Sequence, residues 1–475
     1  MPCALKLEDV SFAYTGNNYI FENIDFSLDY GEFALLSGLS GEGKSTLLSI
    51  INGVIPFITN GKLKGKVYIN GEDVTKRKIS ERAALVGTVL QNADEQIVYD
   101  KVRDEIAFGC ENFNIPGNEI EERINFSTDL MLLRPDDNTK TLSGGQKQRL
   151  VTASTLAMKQ KIIILDEPLA NLDKEGSHIL LSTLKSLADN GYAVLLVEHR
   201  LDMALPYVSK TYWIEDKKIK TDKDKSSLLD TIKIIKHEDT RCQKSKKPII
   251  SGRNLVFCPS ERNILDGLDI EIFKGDRIVL LGENGCGKTT LMRVLARLNK
   301  LTGGELMQTI VPKDKRKNPS SKWFEKVGFV YQNPSYQLFM PTLLDEVAYK
   351  AVSKEKAHEL INALGLSGLE ERHPQSLSEG QKRRASIAAI CAGEPDVIFL
   401  DEPTVGQDYD NLVRIVETIN TLHKEKGTTI ITVTHDIRCA EALCDKVFIM
   451  DEGKIIRQGD HSLAGDYLKA QIKIC

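Results

Sequence analysis

Two glycine-rich stretches decide the fold: Gly38-Leu-Ser-Gly-Glu-Gly-Lys-Ser45 and Gly282-Glu-Asn-Gly-Cys-Gly-Lys-Thr289. Each follows a short apolar run with strand character and leads into a helical pattern. Because glycine tolerates positive φ angles, successive backbone N–H groups of such a loop can turn towards an anion. The following helix adds its N-terminal dipole, the Lys a positive charge, and the Ser or Thr a hydroxyl for Mg²⁺. The pattern therefore predicts two loops that bind nucleotide phosphates.

The whole chain repeats along with these loops. Four further motifs recur in the same order, 235 to 241 residues apart: Val89–Val98 with Val330–Phe339, Leu142–Arg149 with Leu377–Arg384, Ile162–Pro168 with Val397–Pro403, and Val197–Arg200 with Val433–Asp436. An ordered recurrence at nearly constant spacing predicts a tandem duplication of one domain of about 235 residues.

The repeat also sets the predicted domain boundaries. We expect a first domain at residues 1–216, a charged linker at 217–247 and a second domain at 248–475. The linker contains 11 basic and 5 acidic residues. Such a run is typical of a solvated tether, and contact with lipid headgroups or RNA is the alternative.

Composition excludes several classes of protein. A membrane-spanning helix needs about 18 to 20 continuous apolar residues, and no run approaches that length. The N-terminus lacks the pattern of an export signal, so the nine cysteines are expected to be reduced thiols in a cytoplasmic protein. With a net charge of −4, the chain is a weak candidate for binding nucleic acid. Neither Cys nor His clusters at the spacing of a metal centre.

Apolar runs alternate with helical patterns in each half, which predicts an α/β fold with a mainly parallel sheet. Asp166-Glu167 and Asp401-Glu402 end two of these runs, at the sheet edge that also carries the phosphate loops. An aspartate at this edge can hold Mg²⁺, and a glutamate can accept a proton from an attacking water as general base. The sequence therefore predicts a site for nucleotide phosphates with Mg²⁺ in each half.

Both halves resemble ATP-binding cassette (ABC) ATPases over nearly their full length. The resemblance implies two tandem domains of the phosphate-loop NTPase class, each with a helical subdomain that carries the LSGGQ-type signature. It implies that two such domains sandwich two ATP molecules, each between one phosphate loop and the other signature. The catalytic residues it implies are the two glutamates, a histidine and a glutamine in each half: Glu167, Glu402, His199, His435, Gln91 and Gln332.

The resemblance also implies which residues bind the nucleotide and the metal. The nucleotide-binding residues are Tyr14, Gly38, Gly41, Gly43, Lys44, Ser45, Thr46, Gly282, Gly285, Gly287, Lys288, Thr289 and Thr290, with Ser143, Gly144, Gly145, Gln146, Ser378, Gly380 and Gln381 of the signatures. The residues near Mg²⁺ are Ser45, Gln91, Asp166, Thr289, Gln332 and Asp401. A downstream aspartate, Asp173 or Asp408, completes each set. Whether the two domains pair within one chain or between chains stays open.

The halves depart from the family pattern differently, which predicts two competent sites of unequal rate. Tyr14 stands where the family stacks an aromatic ring on adenine, whereas the second half has Pro259 there, with Phe257 nearby as a substitute or as a core residue. Glu379 replaces the first signature glycine, and its charge is harmless only if it points away from the phosphates. Cys286 in the second phosphate loop is either a small filling residue or a reactive thiol.

The segments Gln91–Gly109 and Gln332–Lys350 resemble those of energy-coupling-factor (ECF) ATPases of cobalt and vitamin uptake systems. That resemblance implies a motor at the cytoplasmic face of the cell membrane, without nucleic acid. It implies a transmembrane coupling protein (T component) and a small substrate-binding membrane protein (S component) as partners. The alternatives are a ribosome-associated tandem ABC translation factor, favoured only by the basic linker, and a duplicated sugar-importer ATPase, whose second phosphate loop is usually degenerate.

Overall fold

The computed structural model describes residues 3–16, 18–38, 41–170, 172, 174–221, 247–259, 262–311 and 319–473. It divides into two compact units, Met1–Ile232 and Lys233–Cys475. Among the described residues, none of the helices combines the length and the apolar character that crossing a membrane requires.

The first unit contains ten strands and nine helices in its described part. The strands are β1 (Cys3–Ala13), β2 (Phe21–Asp29), β3 (Phe33–Gly38), β4 (Lys62–Ile69), β5 (Glu72–Asp73), β6 (Val86–Val89), β7 (Ile162–Asp166), β8 (Ala193–Val197), β9 (Lys210–Glu215) and β10 (Lys218–Thr221). The helices are α1 (Lys44–Asn52), α2 (Val54–Phe57), α3 (Ile79–Ala83), α4 (Ala93–Gln96), α5 (Val102–Asn112), α6 (Gly117–Leu130), α7 (Gly144–Ala157), α8 (Lys174–Asp189) and α9 (Leu201–Ala204), with a 3-10 turn at Thr139–Thr141.

A six-stranded sheet of order β10-β9-β3-β8-β7-β6 forms the centre of this unit, and all its pairs are parallel except β9 with β10. Its strands are apolar on both faces because both faces are covered. In β3, Phe33 and Leu35 enter a core shared with helices α5 to α8, whereas Ala34 and Leu36 enter a core shared with α1 and an antiparallel sheet. That second sheet has the order β2-β1-β4-β5.

The second unit repeats this architecture. Its strands are β11 (Pro248–Phe257), β12 (Leu265–Phe273), β13 (Arg277–Gly282), β14 (Gly303–Gln308), β15 (Val327–Val330), β16 (Val397–Asp401), β17 (Thr429–Val433), β18 (Lys446–Asp451) and β19 (Lys454–Asp460). Its helices are α10 (Lys288–Leu295), α11 (Ser321–Lys326), α12 (Leu343–Ala348), α13 (Lys354–Ala363), α14 (Glu379–Cys391), α15 (Tyr409–Lys426), α16 (Ile437–Leu443) and α17 (Ser462–Lys473), with 3-10 turns at Pro334–Tyr336 and Pro374–Ser376.

The second central sheet has the order β15-β16-β17-β13-β18-β19, the same path as in the first unit, and only β18 and β19 are antiparallel. The antiparallel sheet beside it has the order β12-β11-β14. The predicted α/β class with two tandem phosphate-loop domains is thus confirmed. In both central sheets the strand before the phosphate loop is two strands away from the one that ends in Asp-Glu, so both motifs reach one edge.

The first unit extends beyond residue 216, where its boundary was predicted. Strand β10 pairs antiparallel with β9, Lys218 opposite Glu215 and Thr221 opposite Tyr212, so it belongs to the first sheet. The tight turn at Asp216 and Lys217, both with positive φ, makes this hairpin possible. Residues 222–246 of the predicted linker lie outside the described residues.

Candidate active site

The phosphate loops adopt a conformation that only glycine accommodates at the start of the helix. Gly43 and Gly287 have φ values of 97° and 103° and stand directly before α1 and α10. A Cβ atom on Gly43 would lie 2.4 Å from Cγ2 of Ile20, and one on Gly287 would lie 2.8 Å from the carbonyl oxygen of Ile264. The positive φ and the lack of space both demand glycine, and they leave the helix N-terminus open to an anion.

Both loop lysines are buried and held by main-chain carbonyl groups. Lys44 and Lys288 are each 6% exposed. Lys44 Nζ donates to the carbonyl oxygen of Gly38 at 2.9 Å. Lys288 Nζ donates to the carbonyl oxygens of Gly282 and Glu283 at 2.7 and 2.8 Å. The ammonium groups are therefore fixed at the mouth of each loop, where they can meet phosphate oxygens without reorganising.

Two of the predicted Mg²⁺ ligands, the hydroxyl residue and the aspartate, lie together in each unit. The side chain of Ser45 lies close enough to Asp166 to offset part of the rise in pKa that burial causes in that carboxyl, and Thr289 Oγ1 donates to Oδ1 of Asp401 at 3.0 Å. One oxygen of each aspartate, Oδ1 of Asp166 and Oδ2 of Asp401, is buried without a hydrogen-bond partner. A buried unpaired carboxylate oxygen beside a hydroxyl suits a hard divalent cation, so these residues fit Mg²⁺.

Burial sets the charge state of these two aspartates. Burial first, and then repulsion from the neighbouring Glu167 and Glu402, raise the pKa of Asp166 to about 7 and that of Asp401 to about 6. Since these pKa values exceed that of the unfolded chain, the groups favour folding most below about pH 4. That contribution is lost as the pH rises through the folded values. A bound cation would restore it by pairing with the ionised form.

Binding of preformed MgATP near about pH 6.5 is therefore expected to release protons, because the metal binds ionised aspartates and both groups are still partly protonated at that pH. Titration calorimetry at about pH 6.5 should give enthalpies that change with the ionisation heat of the buffer, and the dependence should fade at about pH 8.5. The double variant Asp166→Asn, Asp401→Asn is the control and should lose the effect. Equal heats in all buffers at the lower pH would contradict the assignment of both aspartates.

The two glutamates after these aspartates have left-handed backbone conformations, with φ of 46° at Glu167 and 51° at Glu402. Such a conformation costs a non-glycine residue about 1 to 3 kcal/mol, so surrounding contacts must maintain it. Hydrogen bonds from Glu167 N–H to Val197 O and from Glu402 N–H to Val433 O, both 2.9 Å, hold it in place. The strained turn directs each carboxylate away from the strand towards the histidine of the neighbouring strand.

In the first unit both predicted partners contact the glutamate. Gln91 Nε2 donates to Oε2 of Glu167 at 2.7 Å, and His199 Nε2 lies 3.2 Å from Oε1. Burial would raise the pKa of Glu167, but the charge and hydrogen bond of His199, Lys44 and Gln91 together lower it below its usual value. The group is therefore ionised and able to accept a proton from water.

The second unit differs at the glutamine. His435 Nε2 lies 3.5 Å from Oε1 of Glu402, and its backbone N–H donates to Oε2 at 3.3 Å. Gln332 is exposed, and within the described part of the chain no hydrogen bond joins it to Glu402. The glutamine and glutamate are thus together in the first unit and apart in the second. This difference adds to the asymmetry that the sequence suggests.

Tyr14 lies beside the phosphate loop, as its predicted contact with adenine requires. It is 43% exposed, and its hydroxyl lies 2.8 Å from Oγ1 of Thr46, the residue after Ser45. In the second unit Pro259 is exposed, and Phe257 packs against the core of that unit. Of the two possibilities for Phe257, the structure favours a core residue. Thr290, the counterpart of Thr46, is half-buried in α10.

The signature serines cap the N-termini of helices α7 and α14. The N–H of Gln146 donates to Ser143 Oγ, and its Oε1 accepts from Ser143 N–H. Ser378 and Gln381 form the same capping box. This use of the glutamines was not predicted, although the S-x-x-Q spacing indicates it. The signature glycines Gly144, Gly145 and Gly380 all fall in the first turn of these helices.

Glu379 is neutralised within its own helix. Lys382 Nζ lies 2.8 Å from Oε1 of Glu379, one turn further along α14, and Lys382 is 8% exposed. A carboxylate in the first turn also suits the helix dipole. The concern that Glu379 adds an uncompensated negative charge is therefore not supported by its local environment.

Two further predicted positions have different outcomes. Asp408 caps helix α15, its Oδ1 accepting from the N–H of Asn411 at 2.9 Å, whereas Asp173 lies outside the described residues.

Cys286 is 6% exposed and belongs to the core of the second unit, and burial raises the pKa of its thiol. A buried thiol of raised pKa is a poor nucleophile, so the structure favours Cys286 as a small residue that packs in the core over a reactive thiol.

Comparisons with known proteins agree with this geometry. The model of the ABC transporter family matches residues 21–170 and 265–405. The chain is 32% identical to the putative HMP/thiamine import ATP-binding protein YkoD of Bacillus subtilis, covering 94% of this chain and 90% of that protein. It is also 32% identical to the putative ABC transporter ATP-binding protein SSO2030 of Saccharolobus solfataricus, covering 96% of this chain and 93% of that one.

Solved structures with the same fold span almost the entire chain. A model of ribosome-bound archaeal Pelota and ABCE1 aligns with a TM-score of 0.70 at 20% identity, covering 98% of this chain and 80% of that one. An RNase-L inhibitor aligns with a TM-score of 0.66 at 19% identity, covering 98% and 93%. At these identities the likeness shows the fold alone. The family match in both halves and the relatives at 32% identity show that this chain belongs to the ABC transporter family and is a tandem ATPase of that family.

Proposed function

We propose that this chain is the ATP-hydrolysing motor of an ECF-type importer, a translocase that drives uptake of a vitamin or metal ion through separate membrane subunits. ATP with Mg²⁺ would bind at two composite sites, each completed by the signature of the other domain. A T component and an S component would hold the chain at the cytoplasmic face of the membrane. A relative of 32% identity that is named as an HMP/thiamine import protein supports this proposal.

The observation that carries the proposal is the structure of the segment after each glutamine. In the first unit, Gln96 Oε1 accepts from the N–H of Leu90 at 2.7 Å. Glu105 Oε2 accepts from the N–H groups of both Val98 and Tyr99 at 2.8 Å. The polar residues of the segment thus fix the backbone of a short apolar turn.

The second unit repeats these contacts. Gln337 Oε1 accepts from the N–H of Tyr331 at 2.8 Å. Glu346 Oε2 accepts from the N–H groups of Phe339 and Met340 at 2.6 and 2.8 Å. The resemblance to ECF ATPases therefore rests on residues that build one and the same turn twice.

Each turn exposes apolar side chains to solvent. Val98 is 66% exposed and Tyr99 40%, and in the second unit Tyr336 is 66% and Phe339 73% exposed. Large apolar side chains that are held in an exposed position by buried polar contacts mark a protein interface. A short apolar helix of a membrane partner has the chemistry to cover them. The turns adjoin Gln91 and Gln332, so a partner there would lie next to the ATP sites.

Replacing Phe339 with Glu is expected to reduce copurification of membrane subunits by about tenfold, because burying a phenyl ring contributes about 1.5 to 3 kcal/mol. The tagged full chain would be isolated from detergent-solubilised membranes of its source organism, and integral membrane proteins would be quantified by mass spectrometry. Ile456→Glu is the matched control, since Ile456 is 62% exposed on β19, away from the turn. Equal recovery with both variants would contradict the interface.

A ribosome-associated translation factor is the second candidate. The basic character of residues 217–247 favours it, whereas the solved structures of a ribosome-bound ABCE1 and of an RNase-L inhibitor share the fold alone. The same purification separates the two candidates. Ribosomal proteins and rRNA in place of integral membrane proteins would overturn the importer proposal.

A further inference from the structure

The turn that carries His199 is bonded to the segment that follows Glu167. Glu198 is 2% exposed, and its Oε1 accepts from the N–H groups of His199 and Arg200 at 2.8 and 3.1 Å. Its Oε2 accepts from the N–H of Leu169 at 3.2 Å. One buried carboxylate therefore joins the end of β8 to the backbone two residues beyond Glu167.

Arg200 completes the same link from the other side. Its Nη1 donates to the carbonyl oxygens of Leu169 and Leu172 at 2.9 and 3.1 Å. Both leucines are buried in the helical core of the first unit. The N–H and the C=O of Leu169 are thus both held by side chains that flank His199, so the histidine turn and the Glu167 segment are fixed relative to each other.

The second unit holds the corresponding segment in another way. Arg383 Nη1 donates to the carbonyl oxygen of Glu402 at 2.6 Å. Gln407 accepts from Arg384 Nη1 at 2.8 Å and donates to the carbonyl oxygen of Gly380 at 3.2 Å. Three side chains therefore tie the Glu402 segment to the signature helix α14.

The sequence explains why each link occurs in one unit. Thr434 and Asp436 stand where the first unit has Glu198 and Arg200. Conversely, Gln148 of helix α7 stands where the second unit has Arg383. Gln148 is 1% exposed, and neither atom of its side-chain amide makes a hydrogen bond in the described structure.

We propose that Glu198 and Arg200 are positioning residues that fix His199 relative to Glu167 in the first copy. In the second copy the Glu402 segment is instead tied to the signature helix α14. The inference rests on the proposed roles of Glu167 and His199 in hydrolysis. Because His199 and Glu167 are fixed relative to each other before ATP binds, the Glu167 segment need not rearrange for catalysis. Loss of either positioning residue should therefore lower kcat and leave the KM for ATP little changed, since neither touches the phosphate loop.

The test uses the full chain with Glu402→Gln, so that turnover reports the first copy. Glu198→Ala and Arg200→Ala are each expected to lower kcat by about tenfold to a hundredfold. Because both act on the backbone at Leu169, the double variant should be little worse than either single one. Arg200→Lys keeps a donor for the two carbonyl groups and should recover most of the activity. Amide exchange of the peptide containing residues 169–172 should rise in both Ala variants.

Arg123→Ala is the matched control. Arg123 is a buried arginine of the same unit that donates to the carbonyl oxygen of Ala157 at 2.8 Å, and its loss should affect the melting temperature more than kcat. Unchanged amide exchange at residues 169–172, an additive loss in the double variant, or an equal loss of kcat with Arg123→Ala would each overturn the proposal. Glu167→Gln separates a failure of the positioning proposal from a failure of the proposed role of Glu167 in hydrolysis. If Glu167→Gln leaves turnover intact, the proposed role of Glu167 fails as well.

Discussion

Replacing both Glu167 and Glu402 with Gln is expected to lower ATP turnover by about a hundredfold to ten-thousandfold, the usual contribution of a general base. Glutamine keeps the size and the hydrogen-bonding reach of the side chain but cannot accept a proton from water. In the first unit the contact with Gln91 at 2.7 Å can persist through the amide oxygen. The phosphate loops are untouched, so ATP should still bind.

The single variants are expected to be unequal. Glu167 is contacted by both Gln91 and His199, whereas Gln332 is exposed and the distance between His435 and Glu402 is longer, 3.5 Å against 3.2 Å. A site whose groups are already in contact needs less reorganisation to react. Glu167→Gln should therefore remove more than half of the turnover, and Glu402→Gln less than half.

Steady-state phosphate release from the full-length variants measures these effects, and ATP binding by calorimetry is the control for folding. Equal residual turnover of the two single variants would contradict the asymmetry between the sites. Undiminished turnover of the double variant would contradict the assignment of the glutamates as general bases. Loss of ATP binding would show that the substitutions disturb the phosphate loops instead.

Much of the site could be predicted from the sequence because its chemistry depends on short local motifs. The loop from Gly282 to Thr289 fixes its own backbone, and parallel strands bring Asp401 to the same sheet edge whatever the rest of the chain does. The apolar runs likewise indicate strands that are covered on both faces. These features need no knowledge of tertiary contacts.

Other features depend on contacts between distant segments. The left-handed backbone of Glu402 depends on Val433, and the link from Glu198 to Leu169 joins residues 29 positions apart. The motif alone therefore does not show that Gln91 meets its glutamate and Gln332 does not. The strand Lys218–Thr221 was included in the predicted linker because its lysines resemble a solvated run, although pairing with β9 holds it in the sheet.

Substituting Ala for either phosphate-loop lysine is expected to weaken ATP binding at that site by about a hundredfold or more. Lys44 and Lys288 are buried, and their ammonium groups are held by carbonyl oxygens of the strand ends at 2.7 to 2.9 Å. Removing such a charge forfeits its attraction to the phosphates and leaves those carbonyl groups without their donor. Loss of one partner of a buried charged contact costs about 2 to 5 kcal/mol, and each 1.4 kcal/mol is a tenfold change in affinity.

The stoichiometry of binding makes this prediction specific to each copy. The unmodified chain should bind two MgATP per chain, and Lys44→Ala or Lys288→Ala should each leave one tight site in a calorimetric titration. Lys210→Ala is the matched control, because Lys210 pairs with Glu32 at 3.4 Å near the start of β3, the end of that strand remote from Gly38. It should keep two sites and lose only a little stability. Two tight sites in either loop variant would show that the lysine of that copy does not hold the nucleotide.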